Sequence, residues 1–289
     1  MGNSYDEIAG FYWLDYDETG DHDFLETVVR SVNPRHVLEV PCGWGRNVAL
    51  ILRAAADRIT FMDMCEPMAV QARARVPDAD RARARVLVAD MRALDLTAEF
   101  DLVICPREAI QQLDQVDTGR ALRSLGASLT DDGLILVDLF AFTRLPAPPA
   151  AVPPDYFEPR EHDWVQDWTR TAPGLSLTRL RRQWFTSHGV HIDFRYLVRT
   201  PPESESRSAD LSFHMTNYQD FAGLARESGL EVLAAFAGYH GAEATPAYPR
   251  TVFVLGRQAG QDHAERVGRL RHAIGADRLV SERDRADAG

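Results

Sequence analysis

The strongest constraint on the fold is the alternation of short apolar runs with helix-type segments between residues 36 and 142. Five runs have the length and composition of buried strands: HVLEV (36–40), RITFMD (58–63), ARVLVAD (84–90), FDLVIC (100–105) and LILVDLF (134–140). Helices are predicted between them at 46–56, 67–76 and 120–129, and TDDG is predicted as a turn. Strands that alternate with helices build parallel sheets with right-handed crossovers. The chain is therefore predicted to be an α/β protein with a mostly parallel sheet.

The second half of the chain has a different pattern. The proline-rich stretch RLPAPPAAVPPDYFEP lies in residues 144–174, which are predicted to be irregular, either as a linker or as a lid. Three segments then alternate like antiparallel strands, at 177–187, 188–200 and 207–216, with PPESES as a loop before the last. A helix with Gly229 as its C-cap and two further strands, LEVLAAFAGY and RTVFVLGR, follow. The tail from Gln258 is predicted to be a fraying surface helix without chemistry.

These patterns divide the chain into five segments. They are an N-terminal helical segment (1–35), a core (36–143), a lid and antiparallel cap (144–216), the completion of the core sheet (217–257) and a charged tail (258–289). The cap is thus inserted after the fifth strand.

The charge pattern limits the partners of the chain. The net charge is −11 and all 32 basic side chains are arginine, because the sequence contains no lysine. The negative charge argues against nonspecific nucleic-acid binding, and the lack of lysine excludes Schiff-base and P-loop lysine chemistry within this chain. Without an apolar run of roughly 20 residues or a secretion signal, the chain is predicted to be cytoplasmic and away from membranes. Whether the chain forms a homo-oligomer is left open by the sequence.

The first strand leads into a glycine-containing turn, VLEVPCGWGRN (37–47). A dinucleotide enzyme has G-x-G-x-x-G there, because backbone amides and a helix N-terminus bind a pyrophosphate. Here Pro41 replaces the first glycine and removes its N–H, and Arg46 opens the helix. Gly43 and Gly45 still allow close backbone approach. The turn therefore favours a nucleotide-type cofactor without a phosphate, and a nicotinamide dehydrogenase is disfavoured.

The ordered set of motifs resembles the class I S-adenosylmethionine-dependent methyltransferases. The turn at 37–47 resembles their first motif, MDMCEPMAVQAR (62–73) the second, VADMRAL (88–94) the third, FDLVICPREAIQQL (100–113) the fourth strand with its substrate loop, and GLILVDLF the fifth strand. The resemblance implies a Rossmann-like sheet with an antiparallel edge strand and S-adenosylmethionine as cofactor. It also implies a set of cofactor-binding residues: Tyr12, Arg30, Glu39, Gly43, Gly45, Asp63, Met64, Met68, Asp90, Met91 and Cys105.

Within that set, Asp63 would accept hydrogen bonds from both ribose hydroxyls, Asp90 would face the adenine amino group and Glu39 would support the loop. Each has an alternative interpretation: Asp63 as a helix cap, Asp90 as the closure of a turn, and the methionines as core fillers. Three cysteines, Cys42, Cys65 and Cys105, are interpreted as small buried residues beside the ligand loop, not as a disulfide or metal site.

The N-terminal stretch YDEIAGFYWLDYD resembles that of small-molecule N-methyltransferases acting on glycine-type amines and amino sugars. In those proteins a tyrosine lies over the methyl group, and Tyr12 is the best match, with Tyr5 and Tyr16 as rivals. The alternative is a surface aromatic that packs the N-terminal helix. Arg30 matches an arginine that binds the methionine carboxylate in glycine-type relatives.

The antiparallel insert also resembles that group and would form a cap that excludes water. Residues expected to contact the acceptor are Arg107, Gln112, Trp184 and Tyr239. The sequence departs from the amino-sugar enzymes at Gln111 and Gln112, near which those enzymes often carry a histidine.

Methyl transfer is an in-line displacement, so orientation of nucleophile, methyl and sulfur is the main task. A general base matters only for a protonated acceptor, and Glu108 and His214 are the candidates. His188, His191 and His240 are weaker ones. Because no His/Cys cluster has metal-ligand spacing, the reaction is predicted to be metal-independent.

Three functions stay open. The leading one is N- or O-methylation of a small metabolite, in secondary metabolism. The second is C-methylation of an electron-rich ring such as an indole or phenol, which the cap aromatics would suit: Trp164, Trp168, Trp184, Phe185 and Tyr196. The third is a non-methylating protein that keeps the cofactor fold.

Overall fold

The computed structural model describes residues 5–16, 19–140, 161–187, 189–214, 218–244, 250–258 and 262–287, with only the backbone of His240 and of 276–287. The described residues form twelve strands: β1 (His36–Glu39), β2 (Arg58–Asp63), β3 (Ala84–Val88), β4 (Phe100–Cys105), β5 (Leu129–Phe140), β6 (His162–Ala172), β7 (Leu175–Phe185), β8 (Gly189–Thr200), β9 (Glu203–His214), β10 (Leu230–Ala237), β11 (Ala242–Glu243) and β12 (Arg250–Arg257). The α-helices are α1 (Tyr12–Asp15), α2 (His22–Val32), α3 (Val48–Ile51), α4 (Glu66–Arg75), α5 (Gln115–Ser128), α6 (Tyr218–Glu227) and α7 (His263–Asp287).

Eight strands make the core sheet, in the order β11-β10-β12-β5-β4-β1-β2-β3. The five strands from β5 to β3 are parallel, and β12 and β10 add to the sheet in antiparallel register. The prediction of a mostly parallel sheet with antiparallel strands at one side is confirmed. Helices cover both faces, which explains why the parallel strands read as continuous apolar runs. The polar residues that follow these strands are thereby brought together at their carboxyl ends.

Two local predictions in the core were wrong. The first helix after β1 is a single turn over Val48–Ile51 instead of 46–56, because the glycine turn extends to Asn47 and residues 53 and 54 make only i→i−3 hydrogen bonds. TDDG is not a free turn but an irregularity inside β5. There Phe100 pairs with Leu129 and Leu102 pairs with Leu134, so the extra residues are accommodated within the strand.

A separate antiparallel sheet, in the order β6-β7-β8-β9, forms the cap. Strand β6 was missed, since residues 162–172 were predicted to be irregular along with the proline-rich stretch before them. The loop predicted at PPESES was too long, because its last four residues, Glu203–Ser206, already pair with β8. The predictions for 144–160 and for His188 lie outside the described residues.

The inner face of the cap packs on the N-terminal segment. Ile8, Phe11 and Leu14 join one buried apolar cluster with the end of β5 and with residues of β7, β8 and β9: Phe140, Leu177, Val190, Ile192, Phe194, Tyr196, Val198, Ala209 and Leu211. On its other side the segment contacts the core through Ala9, which packs with Cys65 and Met68. Residues 5–16 thus lie between the two sheets.

The C-terminal helix is more firmly docked than predicted. In the first half of α7, Val267, Leu270 and Ile274 are buried in the cluster that includes α2 and one face of the core sheet. The expectation of a fraying surface helix is therefore wrong for these turns, although α7 was correctly predicted as a helix. No helix among the described residues is long and apolar enough to cross a membrane.

Candidate functional site

The two glycines after β1 have different tasks. Gly43 has φ +53°, its N–H donates to Oδ2 of Asp63 at 2.8 Å, and a Cβ built on it would meet no heavy atom within 4 Å. Gly45 has φ +87°, and its Cβ would lie 2.8 Å from the Cα of Ala72 in α4. Gly45 therefore permits close helix packing, whereas Gly43 leaves open space beside a buried carboxylate. Of the two, Gly43 fits the predicted approach of a ligand to the backbone.

Asp63 links the two loops at this edge of the sheet. It ends β2 and is buried, and its two oxygens accept the N–H groups of Gly43 and Cys65, each at 2.8 Å. Burial raises the pKa of Asp63, and the two backbone hydrogen bonds oppose that rise. The side chain does not cap α4, which begins at Glu66 with no side-chain cap. Both oxygens retain lone pairs for the hydroxyls of a ligand.

A buried acid lies one strand away. Oε1 of Glu39 accepts from the Asn47 side chain at 2.6 Å, and Oε2 is buried without a hydrogen-bond partner among the described residues. Burial raises the pKa of Glu39 to about 8. Next to it, Arg46 makes two 2.6 Å hydrogen bonds to the buried carboxylate of Asp21, which precedes α2. The orphaned oxygen is an acceptor that an ammonium group would satisfy.

The third predicted acid, Asp90, already has hydrogen-bond and ion-pair partners within the protein. Asp90 accepts the backbone N–H of Arg92 at 2.9 Å and pairs with its guanidinium, which also reaches Asp117. This is the turn-closing arrangement that the sequence left as the alternative. Next to it, Met91 packs at the margin of the core, half-buried.

The remaining predicted cofactor residues differ in how close they lie to the loops that Asp63 joins. Met68 is buried with Ala9 and Cys65, beside Tyr5, Tyr12 and Trp44. Met64 is 51% exposed. The side chain of Cys105 is fully buried in a core cluster and is not accessible to a ligand. Arg30 is exposed in the last turn of α2. This helix leads into the start of β1, whereas the glycine turn follows the end of that strand. We therefore leave the Cys105 thiol and Arg30 out of the site.

Three tyrosines from the N-terminal segment cover this edge. The rings of Tyr5 and Tyr12 meet edge to face at 5.4 Å, and those of Tyr12 and Tyr16 stack at 5.1 Å. Gln112 donates to the Tyr5 hydroxyl at 2.9 Å and so ties the segment to the loop after β4. Burial raises the pKa of all three phenols, which keeps them neutral at neutral pH.

The loop after β4 contributes an ion-pair network. Arg107 and Glu108 have φ +60° and +55°, unusual for side-chain-bearing residues. Glu108 pairs with Arg250, which also reaches Asp138 at 2.5 Å. The hydroxyl of Tyr239 donates to the same aspartate at 2.5 Å. Glu108 and Tyr239 were predicted as a base and a substrate contact, and here both belong to a buried structural network.

Neither Asp138 nor Arg250 is among the residues predicted from the sequence. Asp138 is buried, and its burial, together with the neighbouring Glu108, raises its pKa, while Arg250 lowers it. A charged residue inside the otherwise apolar run LILVDLF was the available signal. Arg250 begins β12 and gave no such signal, because its partner is 112 positions away.

The cap residues divide by face. Trp184 lies on the outward side of β7, 37% exposed, with its ring 4.5 Å from that of His191. Trp164 contacts the exposed Arg195, whereas Trp168, Phe185 and Tyr196 belong to the inner cluster. Hence Trp184 and His191 are not brought to the site. His191 instead bonds Ser212 and Asp193.

His214 lies at the seam between cap and core. It ends β9, and its carbonyl accepts from Nε2 of the buried Gln111 at 3.2 Å. The same glutamine bonds the carbonyl and the N–H of Phe140 at the end of β5. Gln111 thus joins the end of β5 in the core sheet to the end of β9 in the cap, which is a positional role. The side chain of His240 is not described.

Among the described residues, no group of three or more His, Cys, Asp and Glu side chains could hold a metal ion. All three cysteines are free and buried.

Comparisons with known proteins agree with this arrangement. Residues 37–133 match the family model of a methyltransferase domain. No curated protein matches the chain at a significant level. Solved structures that resemble it include an S-adenosylmethionine-dependent methyltransferase from Clostridium acetobutylicum, at 14% identity and a TM-score of 0.70, covering 88% of this chain and 99% of that one.

Two further similar structures are of methyltransferases that act on sugars. The sugar N-methyltransferase KedS8 from Streptoalloteichus is 19% identical with a TM-score of 0.64, and 88% of this chain and 93% of that one are covered. The S-adenosylmethionine-bound amino pentose methyltransferase CalS10 from Micromonospora echinaspora, involved in calicheamicin biosynthesis, is also 19% identical with a TM-score of 0.62, covering 87% and 96%. At these identities the structures establish the fold alone. The evidence for methyltransferase activity is the match of residues 37–133 to the methyltransferase domain model.

Proposed function

We propose that this chain, a class I S-adenosylmethionine-dependent methyltransferase by its matched domain and fold, methylates an amine of a small metabolite. The observation that carries the proposal is the buried Asp63 carboxylate, hydrogen-bonded to the N–H of Gly43 beside open space. Natural-product biosynthesis is the proposed setting, because the amino pentose methyltransferase that shares the fold is involved in calicheamicin biosynthesis. Hydroxyl acceptors are the second possibility for the same site.

The residues at this edge fit the cofactor chemically. Glu39 offers an orphaned buried oxygen to the ammonium of the methionine part, and Asp63 offers lone pairs to the ribose hydroxyls. Gly43 allows close approach of the backbone. When bound, the cofactor supplies an electrophilic methyl group on a sulfonium. We do not include Asp90 as an adenine contact, because Arg92 occupies its carboxylate.

The N-terminal tyrosines are proposed to orient the reacting groups. As neutral phenols they present oxygen lone pairs without an anionic charge, and a polarised methyl C–H group is a weak donor to such an oxygen. Tyr12 is the first choice because it packs beside Met68 and Cys65, next to the end of β2. Tyr5 and Gln112 hold the segment to the substrate loop. Orientation of this kind accounts for several orders of magnitude in rate.

An amine is preferred to a hydroxyl because the acid in the loop after β4, Glu108, is engaged by an arginine. Glu108 is held by Arg250 and so is proposed to position the loop instead of removing a proton. His214, at the seam, is the proposed acceptor of a proton from an ammonium substrate. An amine that arrives unprotonated needs no base at all. The outward placement of Trp164 and Trp184 removes part of the support for a flat aromatic carbon acceptor.

The test is a calorimetric titration of S-adenosylhomocysteine into three proteins. The Asp63→Ala variant is expected to bind at least about tenfold more weakly, since even one hydrogen bond to a charged group contributes about 1.5–3 kcal/mol. Asp57→Ala is the matched control, because Asp57 immediately precedes the same strand at its other end and is exposed. Wild-type affinity in the Asp63→Ala protein, with unchanged thermal unfolding, would remove the proposal.

A further inference from the structure

A cleft of about 440 Å³ lies between the first turns of α7 and strand β10. Helix α7 lines it with Ala264, Val267 and Gly268, and the sheet lines it with Leu233. Sites for small molecules have volumes of about 300–1,000 Å³ and mostly apolar walls that carry a few polar groups. The cleft therefore has the size and the apolar wall of a small-molecule site.

The cleft is remote from the glycine turn. In the core sheet β12, β5 and β4 lie between β10 and β1, so these two strands are four spacings, about 19 Å, apart. Glu231 of the cleft pairs with Gly256, and the row continues through Leu134 and Leu102 to Val37. That row crosses β1 near its amino end, whereas the glycine turn follows its carboxyl end. The cleft is thus separate from the cofactor edge.

A buried histidine without a hydrogen bond belongs to the lining. His263 is only 4% exposed, and neither of its ring nitrogens has a hydrogen-bond partner among the described residues. Its Nδ1 lies 3.6 Å from Oε1 of Glu231, which is beyond hydrogen-bond distance. Buried polar groups are nearly always hydrogen-bonded, because leaving one unsatisfied is costly. A ligand in the cleft would supply the partner that this imidazole lacks.

A glycine of the sheet makes room for the imidazole ring. A Cβ built on Gly256 of β12 would lie 2.5 Å from Cε1 and 2.7 Å from Nε2 of His263. Only a residue without a side chain allows so close an approach. Because the Cε1–Nε2 edge packs on the sheet, Nδ1 is the nitrogen on the side of Glu231. In a neutral imidazole an unprotonated Nδ1 accepts a hydrogen bond.

The charged groups of the lining lie at different places along α7. The Glu231 carboxylate is beside Nδ1 of His263. Arg271 follows His263 by eight positions on α7, which is about 12 Å along the helix axis. Carboxylate oxygens and an imidazole lone pair are both acceptors, and hydrogen bonds from a cationic donor to them are the strong ones. The Glu231 end of the cleft therefore favours a positively charged N–H donor.

We infer that this cleft binds a primary amine with a compact apolar body, whose ammonium group donates to Oε1 of Glu231 and to Nδ1 of His263. Two acceptors 3.6 Å apart allow one nitrogen to lie about 2.9 Å from each. An ammonium has three N–H groups, so one remains for water. The apolar body would pack on Leu233 and Val267. This site is additional to the one proposed for methyl transfer.

An NMR titration of the full chain with isopentylamine tests the inference by following the amide signals of α7 and β10. Isopentylamine is expected to bind at least about tenfold more tightly than isopentyl alcohol, which has the same body and a neutral end. Isocaproate, which has an anionic end, should bind more weakly still. Equal affinity for the amine and the alcohol, or tighter binding of isocaproate, would overturn the inference.

Gly268→Leu distinguishes the cleft from any other place where an amine could bind, including the site proposed for methyl transfer. A Cβ on Gly268 meets no heavy atom within 4 Å, so leucine would fill the cleft without a clash and would replace a helix-interior glycine. The affinity for isopentylamine is expected to fall at least about tenfold. Gly223→Leu is the matched control, because Gly223 also faces open space but lies in α6, outside the lining. Wild-type affinity in Gly268→Leu would contradict the inference.

His263→Phe and Glu231→Gln test the two acceptors. His263→Phe keeps a flat ring and removes both unsatisfied nitrogens, so it should unfold at the same temperature as wild type or at a higher one. Each variant is expected to bind isopentylamine about tenfold more weakly. The amine should raise the Tm of the wild type more than that of either variant. Wild-type affinity in both variants would show that the ammonium is not held by this pair.

S-adenosylhomocysteine keeps this inference apart from the proposed function. The affinity for isopentylamine should be the same with and without saturating S-adenosylhomocysteine, because β10 lies about 19 Å from β1. A wild type that binds isopentylamine in the cleft but not S-adenosylhomocysteine contradicts the proposed function alone. One that binds S-adenosylhomocysteine but not isopentylamine contradicts this inference alone.

Discussion

In the core sheet the polar side chains stand at the carboxyl ends of the strands, whereas in the cap they run along the middle of strand β7. Asp63 bonds two backbone N–H groups close to it in the loops, and Glu39 bonds Asn47 eight residues away. In the cap, Arg179 bonds Asp15, which is 164 positions away in the N-terminal segment. The core site is therefore assembled by its own loops, and the cap network only when two sheets and a separate segment come together.

This difference matches the chemistry that the sequence predicts for each side. A cofactor of fixed structure can be held by loops whose backbone is rigid and locally bonded. An acceptor that varies among enzymes of one fold is better served by a sheet face, where single side chains change without disturbing loops. The N-terminal segment connects the two, since Asp21 bonds the cofactor loop through Arg46 and Asp15 bonds the cap through Arg179.

A large effect is expected in the glycine turn, where Gly45→Ala should destabilise the fold by about 2–5 kcal/mol. The new Cβ would meet the backbone of α4 at 2.8 Å, and φ +87° is strained for alanine. Strain of this kind costs about 1–2 kcal/mol and overpacking about 1–3 kcal/mol. The measurement is the free energy of unfolding from denaturant titration.

Gly43→Ala is the counterpart in the same turn. With nothing within 4 Å and φ +53°, it should cost only about 1 kcal/mol of stability. Its methyl group would, however, enter the space beside Asp63, so S-adenosylhomocysteine affinity is expected to fall about tenfold or more, roughly 1.4 kcal/mol. If Gly43→Ala proved the less stable variant, the division of tasks between the glycines would be incorrect.

The same contrast explains what the sequence could predict. Strands β2 and β4 were predicted with their observed bounds because both faces are covered and the apolar runs are continuous. Strand β6 was missed because its side chains alternate only between half-buried and exposed, and it carries charges. A partly exposed strand beside a proline-rich stretch gives no strong apolar period.

At the site, residues in contiguous motifs were found and long-range partners were not. Asp63 and Gly43 lie in two motifs whose strands are adjacent in a parallel sheet, so their meeting follows from topology. The ion pairs of Asp15 with Arg179 and of Asp138 with Arg250 join residues more than 100 positions apart. Charge alone does not select one partner among 32 arginines.

The two anchors of the N-terminal segment should respond differently to neutralisation. Asp21→Asn leaves the buried Arg46 without its carboxylate and should cost about 3 kcal/mol at pH 7, the range for breaking a buried ion pair. Asp15→Asn should cost about 1 kcal/mol, the net value of one hydrogen bond, because burial already disfavours its charged form. Equal losses in denaturant titration would argue against distinct anchors.

The pH dependence of those losses has opposite signs. Burial raises the pKa of Asp21, but the hydrogen bonds and charge of Arg46 outweigh this and lower it. Its stabilisation is thus present above about pH 4, the unfolded value, and is lost as pH falls through the folded pKa. Burial raises the pKa of Asp15, so its contribution weakens as pH rises from about 4 toward the folded value. The Asp21→Asn deficit should vanish in acid, whereas the Asp15→Asn deficit should shrink with rising pH.

Glu39 should give the stability curve a slope near neutrality. Its pKa is raised to about 8 by burial, so the folded protein retains a proton that the unfolded chain has released. Stability from this group is full below about pH 4.3 and falls as pH rises to about 8, by at most about 1.4 kcal/mol per pH unit. Glu39→Gln mimics the protonated form and should flatten that slope relative to wild type. Parallel curves for the two proteins between pH 5 and 8 would exclude a shifted Glu39.

The smallest effect is expected at Trp184, on the outer face of the cap. Because the ring is 37% exposed and contacts His191 and Arg182, Trp184→Ala should cost about 1 kcal/mol or less, the value of an aromatic contact without full burial. Phe194→Ala, one strand away on the inner face, should cost about 3–5 kcal/mol, the range for a buried phenylalanine. Neither variant should change S-adenosylhomocysteine affinity, because neither side chain lies at the Gly43–Asp63 edge, while KM for the methyl acceptor should not rise in Trp184→Ala. A raised KM in Trp184→Ala would return Trp184 to the acceptor site and reverse the assignment of the two faces.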